Sequence, residues 1–419
     1  MSSDQPGSLR RELGTFDAVM VGLGSMIGAG IFAALAPAAR SAGSALLIGL
    51  CVAAVIAYCN ATSSARLAAV YPASGGTYVY GRKRLGDFWG YLAGWGFVVG
   101  KTASCAAMAL TVGFYAWPAH AHAVAVAAVV ALTAINYAGV QKSAWLTRVI
   151  VAVVLSVLAA LVVTVFGSGR IDTAALDVTD VSLTGVLQAA GLLFFAFAGY
   201  ARIATLGEEV REPARTIPRA IPIALGITLV VYAVVAVAVL TSLGPSRLAV
   251  SAAPLLDTVA AVGARWMEPV VRIGAVVAAT GSLLALILGV SRTTFAMARD
   301  RHLPYALAAV HPRNAVPYRA ELLVGLVVSI LAATVDLRGA IGFSSFAVLV
   351  YYAVANASAW TLSPAEGRPP RVVPVLGLVG CVVIALALPP SSVLSGVAVL
   401  TVGIAIYALR RISGPGKRE

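Results

Sequence analysis

Charge is scarce in this chain. Of its 419 residues, 30 are Lys or Arg and 17 are Asp or Glu, together 11%, against roughly 25% in a soluble domain. No polar stretch between apolar runs exceeds about thirty residues, far short of the ~100 residues of a typical folded domain, so no separate soluble domain is expected. There are four histidines. His120 and His122 share one turn, His302 and His311 share one loop, and none joins a carboxylate motif. The polar set that a membrane enzyme needs is therefore missing. The four cysteines (Cys51, Cys59, Cys105, Cys381) all fall in apolar stretches, which argues for packing and against a disulfide framework or a metal site. A filter-like loop or a ring of pore-lining charge, as a channel uses, is also missing.

Apolar sequence is abundant. Hydrophobic residues make up 60% of the chain, the mean hydropathy is +0.92, and runs of about 20 apolar residues recur along almost the whole length. The chain reads as a polytopic integral membrane protein. Its first polar residues, "MSSDQPGSLRREL", lead straight into a full-length run, so no cleavable signal peptide is expected. Twelve spans are predicted: 16–40, 44–68, 87–116, 119–138, 145–167, 184–207, 218–243, 267–296, 319–335, 339–362, 372–389 and 391–411. An even number puts both termini on one side. That side carries 22 of the Lys and Arg residues, the other six, among them Arg40, Arg170 and Arg338. The asymmetry places both termini in the cytoplasm of a cell-membrane protein. It also accounts for the net charge of +13 as orientation and attraction to anionic lipid, with no nucleic acid partner.

Two spans are weakened at their centres. The first contains "GLGSMIGAG" (22–30), with Gly22, Gly24, Gly28 and Gly30, each costing a helix roughly 1 kcal/mol relative to alanine. The sixth contains "FFAFAGYAR" (194–202). Spans one and six are five apart. Five is odd, so two five-span units would be inverted relative to each other, and paired interruptions in inverted halves point to a transporter's midplane site. A break frees backbone N–H and C=O groups that need partners in lipid. A zwitterion supplies them: its carboxylate takes the N–H groups at a half-helix N-terminus and its ammonium takes carbonyls. For "GLGSMIGAG" alone, a small-xxx-small packing face is the plainer reading; the second interruption favours the binding break.

Four ordered stretches carry a family resemblance: "GLGSMIGAGIF" (22–32), "YPASGGTYVYGRKRLGDFWGYLAGW" (71–95), "FFAFAGYARIATLGEEVREPARTIPRAI" (194–221) and "SRTTFAMARDRHLPYALAAVHPRNAVPYRA" (291–320). Together they resemble the amino acid–polyamine–organocation transporters. The resemblance implies an all-α, LeuT-type fold of 12 transmembrane helices, two inverted five-helix repeats plus two C-terminal helices, with helices 1 and 6 broken at the midplane. Residues 1–15 would form a cytoplasmic segment, 16–180 and 181–365 the two repeats, 366–411 the last two helices and 412–419 a tail. It implies amino acid transport by alternating access. Ser25, Met26, Ile27, Gly28, Ala29 and Gly30 would offer backbone donors to the substrate carboxylate. Residues Phe194 to Gly199 would form the span-six break, with Phe195 covering the substrate and Phe197, Ala198 and Gly199 giving carbonyls to its amine. Glu208 and Glu209 are candidates for a cytoplasmic gate, against the plainer reading of a solvated loop.

Lys101 and Arg202 are the two basic residues inside spans, where charge is costly and functional by default. Lys101, near mid-depth in span three, either takes up and releases a proton, stays a fixed cation, or reaches a watery vestibule. Arg202 calls for a compensating anion or carbonyl cluster, which the substrate or a structural contact supplies. The span-five lysine that replaces sodium in several relatives has no counterpart here: the position is Val154. Thr280 and Ser282 on span eight are candidate sodium ligands, although hydroxyls in helices more often bond backbone; a proton is the favoured coupling ion. Relatives that carry cationic amino acids tend to have an acid just after the span-six break, where this chain has Ala201. Neutral or acidic amino acids are therefore expected as substrates, with cationic amino acids or polyamines as the alternative. No cofactor is expected. A non-transporting amino acid sensor remains the reading from a different class.

Overall fold

The computed structural model describes residues 13–71, 75–139, 144–178, 181–204, 210–314 and 316–413. Among them every named element is helical, and one isolated bridge joins Leu13 to Val210. Helix α1 (Thr15–Met26) opens with the Gly14 N–H donating to the Asp17 carboxylate at 3.3 Å, an acid placed where the helix dipole favours it. It stops where Ile27 (φ −81°, ψ 52°) and Gly28 (φ −105°, ψ −134°) leave helical geometry. The helix restarts as α2 (Ala29–Ala33) and passes through Ala34, itself in right-handed helical geometry, into α3 (Leu35–Ala42). Then follow α4 (Leu46–Val70), the short α5 (Thr77–Arg84), α6 (Asp87–Ala116), α7 (Ala121–Tyr137) and α8 (Ala144–Gly167).

The second half begins with α9 (Leu183–Phe197), whose N-terminus is capped by the Ser182 hydroxyl accepting from the Gly185 N–H. A 3₁₀ turn at Ala198–Tyr200 leads into α10 (Ala201–Ala204). Helix α11 (Pro213–Val250) is longer than the predicted 218–243, and it kinks at Gly244 (φ 69°) just past that predicted end. The remaining helices are α12 (Pro254–Ala261), α13 (Glu268–Arg299), α14 (Tyr318–Thr334), α15 (Leu337–Trp360), α16 (Val372–Leu386) and α17 (Pro390–Ser413).

Among the described residues, ten helical stretches are long and apolar enough to cross a membrane. Helices α14 (17 residues) and α16 (15 residues) coincide with predicted spans but are shorter than the roughly 20 residues of a full crossing. The chain is a multi-pass membrane protein. Helices α6 and α15 form its centre: 78% of the apolar stretch of each is buried, against 17% for α17. Lipid gives helices no hydrophobic reason to associate, so close packing of small residues must do it. On α6 these are Gly96, Gly100 and Ser104, one turn apart. A methyl group on Gly100 would lie 2.8 Å from Ala347 Cβ, and the Ser104 and Ser344 hydroxyls are 2.5 Å apart.

A second contact is polar. Asn356 on α15 donates to Asn60 Oδ1 on α4 at 2.6 Å and accepts from Ser63 at 2.7 Å, and Asn60 reaches the Cys381 sulfur on α16 at 3.2 Å. Cys59, Cys105 and Cys381 are buried, as packing residues should be. Cys51 is not: it lies on the exposed face of α4.

Candidate functional site

The two interrupted helices meet through glycines. A methyl group on Gly199 would fall 2.3 Å from the Ser25 carbonyl oxygen and 2.7 Å from the Met26 nitrogen; one on Gly30 would fall 2.6 Å from the Ala196 Cα. These obstacles are backbone atoms, which cannot swing aside. Gly28 faces α13 instead, where an added methyl would meet the Ser282 hydroxyl.

Five carbonyls at the interruptions already have donors. Ser282 on α13 donates to the Gly24 carbonyl at 3.1 Å. Tyr232 on α11 lies 2.5 Å from the Met26 carbonyl and 3.1 Å from the Ala196 carbonyl, so one phenolic proton serves both broken helices. The Ala198 carbonyl accepts from Lys101 Nζ at 3.2 Å and from the Tyr352 hydroxyl at 3.1 Å. The Gly199 carbonyl takes the Ala201 N–H within its own turn. The amides differ. The leading N–H groups of a helix have no intrahelical acceptor, and no side chain caps α2 at Gly28. With those five carbonyls taken, and the Gly28, Ala29 and Gly30 amides without an acceptor among the described residues, this end of α2 suits an anionic group.

The span-six interruption is smaller than expected and lies later. Phe194 to Phe197 continue α9 as regular helix, and only Ala198–Tyr200 tightens into a 3₁₀ turn. The aromatic run tolerates helix because its rings find partners: Phe194 packs edge-on against Tyr352 (5.7 Å between ring centres) and Phe197 lies 5.2 Å from Tyr232. Both rings are fully buried, whereas Phe195 is 7% exposed.

Lys101 sits deep in α6, 6% exposed, and among the described residues no carboxylate forms an ion pair with it. Arg202, on α10, is half-buried and engaged by a neighbour. Ser25 donates to the Val21 carbonyl one turn back at 2.9 Å. Thr280 and Ser282, two residues apart, are turned about 200° from each other on α13, and of the two only Ser282 bonds α1. Glu208 and Glu209 lie outside the described residues. Tyr232, which ties the two interruptions together, and Tyr352, which holds the Ala198 carbonyl, were not foreseen from sequence. Their signal was a lone tyrosine in the apolar run "LVVYAVV" and the pair "VYYAV", since a buried tyrosine hydroxyl usually needs a partner.

Residues 13–409 match the amino acid permease family. Uncharacterized transporters of Mycobacterium bovis and Mycobacterium tuberculosis are 76% identical over 410 residues, covering 98% of this chain and 93% of theirs. A branched-chain amino acid permease of Bacillus subtilis is 28% identical over 443 residues, 96% of this chain and 93% of its own. Cationic amino acid transporter 4 of Homo sapiens is 28% identical over 390 residues, 87% of this chain and 61% of its own. The match runs through both interrupted helices and through Lys101, and the chain belongs to the amino acid permease family of the amino acid–polyamine–organocation transporters.

Proposed function

We propose that this chain is a secondary active transporter of neutral or acidic amino acids in the cell membrane, working by alternating access and driven by protons or by exchange. The observation that carries the reading is the unequal state of the interrupted helices. The amides that open α2 are left for a carboxylate, while the Ala198 carbonyl is held by Lys101 and Tyr352. In this mechanism the substrate carboxylate takes the Gly28, Ala29 and Gly30 amides, and its ammonium takes the Ala198 carbonyl from Lys101. Phe195 covers the bound molecule. Displacing Lys101 from its carbonyl is the step by which this reading couples substrate binding to a proton.

The same reading gives the helices the inverted-repeat arrangement, 16–180 against 181–365, with both termini cytoplasmic. Counting α1–α3 as the first span and α9–α10 as the sixth, packing partners recur five spans on. The second span packs on the sixth as the seventh packs on the first; the third packs on the tenth as the eighth packs on the fifth; the third packs on the fourth as the eighth packs on the ninth. Chemistry at the site disfavours a cationic side chain, because Lys101 is its central charge and position 201 is alanine.

A thermal-shift series on the purified protein tests the site. A ligand stabilises the state it binds, so alanine and leucine should raise the melting temperature, while their decarboxylated amines and arginine should not. Stabilisation by the amines alone would contradict a carboxylate-reading site. Stabilisation without any flux would favour the sensor.

A further inference from the structure

Glu321 is a carboxylic acid inside the protein for which amino acid binding has no use. It lies in the first turn of α14, fully buried. Among the described residues no cation lies within ion-pair distance of it. Its Oε2 is 2.5 Å from the Ser291 hydroxyl on α13, and its Oε1 is buried without a hydrogen-bond partner. The groups facing it are Cys105 from α6, Asn136 from α7, and Ser291 and Arg292 from α13. The turn Tyr305–Ala308 packed on α14 brings no charged side chain. Arg292 is exposed, where solvent and salt weaken its field. Arg319 on the same helix is also exposed and donates to the Tyr318 hydroxyl and the Ala306 carbonyl.

Burial and the contacts of Ser291 favour the neutral acid. The Ser291 hydroxyl has one proton and two contacts, the Leu288 carbonyl at 3.1 Å and Glu321 Oε2. The carbonyl can only accept. If Ser291 gives its proton to Leu288, its lone pair is free to accept from a protonated Oε2, and every short contact is satisfied. If Glu321 is ionised, the Ser291 proton is drawn to Oε2 and Leu288 keeps at most a share of it, while a fully buried carboxylate faces only neutral donors, Ser291 and the Asn136 amide, with no cation within ion-pair distance among the described residues, which costs more than burying the neutral acid.

We propose that Glu321 is a proton-binding site: its carboxyl group is held neutral between α7, α13 and α14, donating from Oε2 to the Ser291 hydroxyl. Losing that proton to solvent leaves a buried negative charge among three packed helices. Their packing, and any motion of α13 against α14, is then linked to pH independently of Lys101. The proposal stands on membrane burial and hydrogen bonding and does not depend on which solute the chain carries.

Infrared difference spectroscopy of the full chain in detergent, titrated from about pH 7 to about pH 10, tests it, alongside melting curves at the same pH values. Wild type should show a protonated carboxylic acid band near neutrality that fades on alkalinisation, with the melting temperature falling in step. Glu321→Gln, which mimics the neutral acid, should lack the band and lose the matching part of the alkaline destabilisation. Ser291→Ala should keep the band and shift it, since the acceptor is gone. A wild-type spectrum identical to that of Glu321→Gln would overturn the proposal. So would equal alkaline destabilisation in the two proteins, or, where Glu321→Gln does not fold, a band unmoved by Ser291→Ala. None of these readouts needs a substrate, so failure of the amino acid reading leaves them intact.

Discussion

Lys101 Nζ on α6 lies 3.2 Å from the carbonyl oxygen of Ala198, the first residue of the turn that interrupts the sixth membrane helix. The only long flexible cation deep in α6 therefore occupies the acceptor proposed for the substrate ammonium. Lys101→Gln keeps a donor of similar reach but has no proton to release. It should retain substrate exchange in proteoliposomes and lose accumulation driven by a pH gradient. Gradient-driven accumulation that survives Lys101→Gln unchanged would remove Lys101 from coupling.

Close approach makes alanine costly at the interruptions. Gly199→Ala pushes a methyl against the Ser25–Met26 peptide, and overpacking of this kind costs about 1–3 kcal/mol. Gly289 on α13 has open space where its Cβ would go, so Gly289→Ala should change stability by no more than about 1 kcal/mol. Melting temperatures of the two variants should separate clearly, with Gly199→Ala well below wild type.

Tyr232→Phe removes the one donor shared by the Met26 and Ala196 carbonyls while keeping the ring that packs on Phe197. Leaving a buried acceptor unpaired costs about 1–3 kcal/mol. Lower stability with a weakened amino acid-induced thermal shift is expected. A Tyr232→Phe protein that melts and responds like wild type would show that the hydroxyl does not hold the two interruptions together.

Outside the membrane, Glu366 closes the link between α15 and α16. It bonds the Arg84 guanidinium and accepts the Ser363 N–H at 2.8 Å. Its carboxyl is held down to about 2, first by the Arg84 hydrogen bond and then by the Ser363 amide. An acid whose folded value is depressed contributes stability above its unfolded value of about 4.3 and loses it as pH falls towards the folded one. Between about pH 4 and about pH 2, wild type should therefore lose a small increment of thermal stability that Glu366→Gln lacks at every pH. Parallel curves for the two proteins would contradict the assignment.

Hydropathy alone located the long helices, because a full apolar run leaves few alternatives in lipid; the predicted 87–116 coincides with α6. The first interruption was legible because Ile27 and Gly28 sit inside a glycine cluster that no ordinary helix needs. The second was placed too early. Phe194 to Phe197 stay helical because Tyr352 and Tyr232 pack against their rings, partners more than 30 residues away that no local pattern announces. Glu321 was overlooked for a different reason: only its position just inside the predicted span 319–335 distinguishes it from the charged loop before it, and its proton is decided by Ser291 on another helix.

The central claim is that backbone amides of an interrupted helix read the carboxylate of an amino acid carried across the membrane. Counterflow in proteoliposomes tests it most directly: vesicles preloaded with unlabelled neutral amino acid should take up labelled alanine or leucine faster than empty ones. That uptake should saturate, and decarboxylated amines and arginine should fail to compete. Uptake indifferent to the trans-side amino acid, or suppressed better by arginine or an amine than by alanine, would contradict the account.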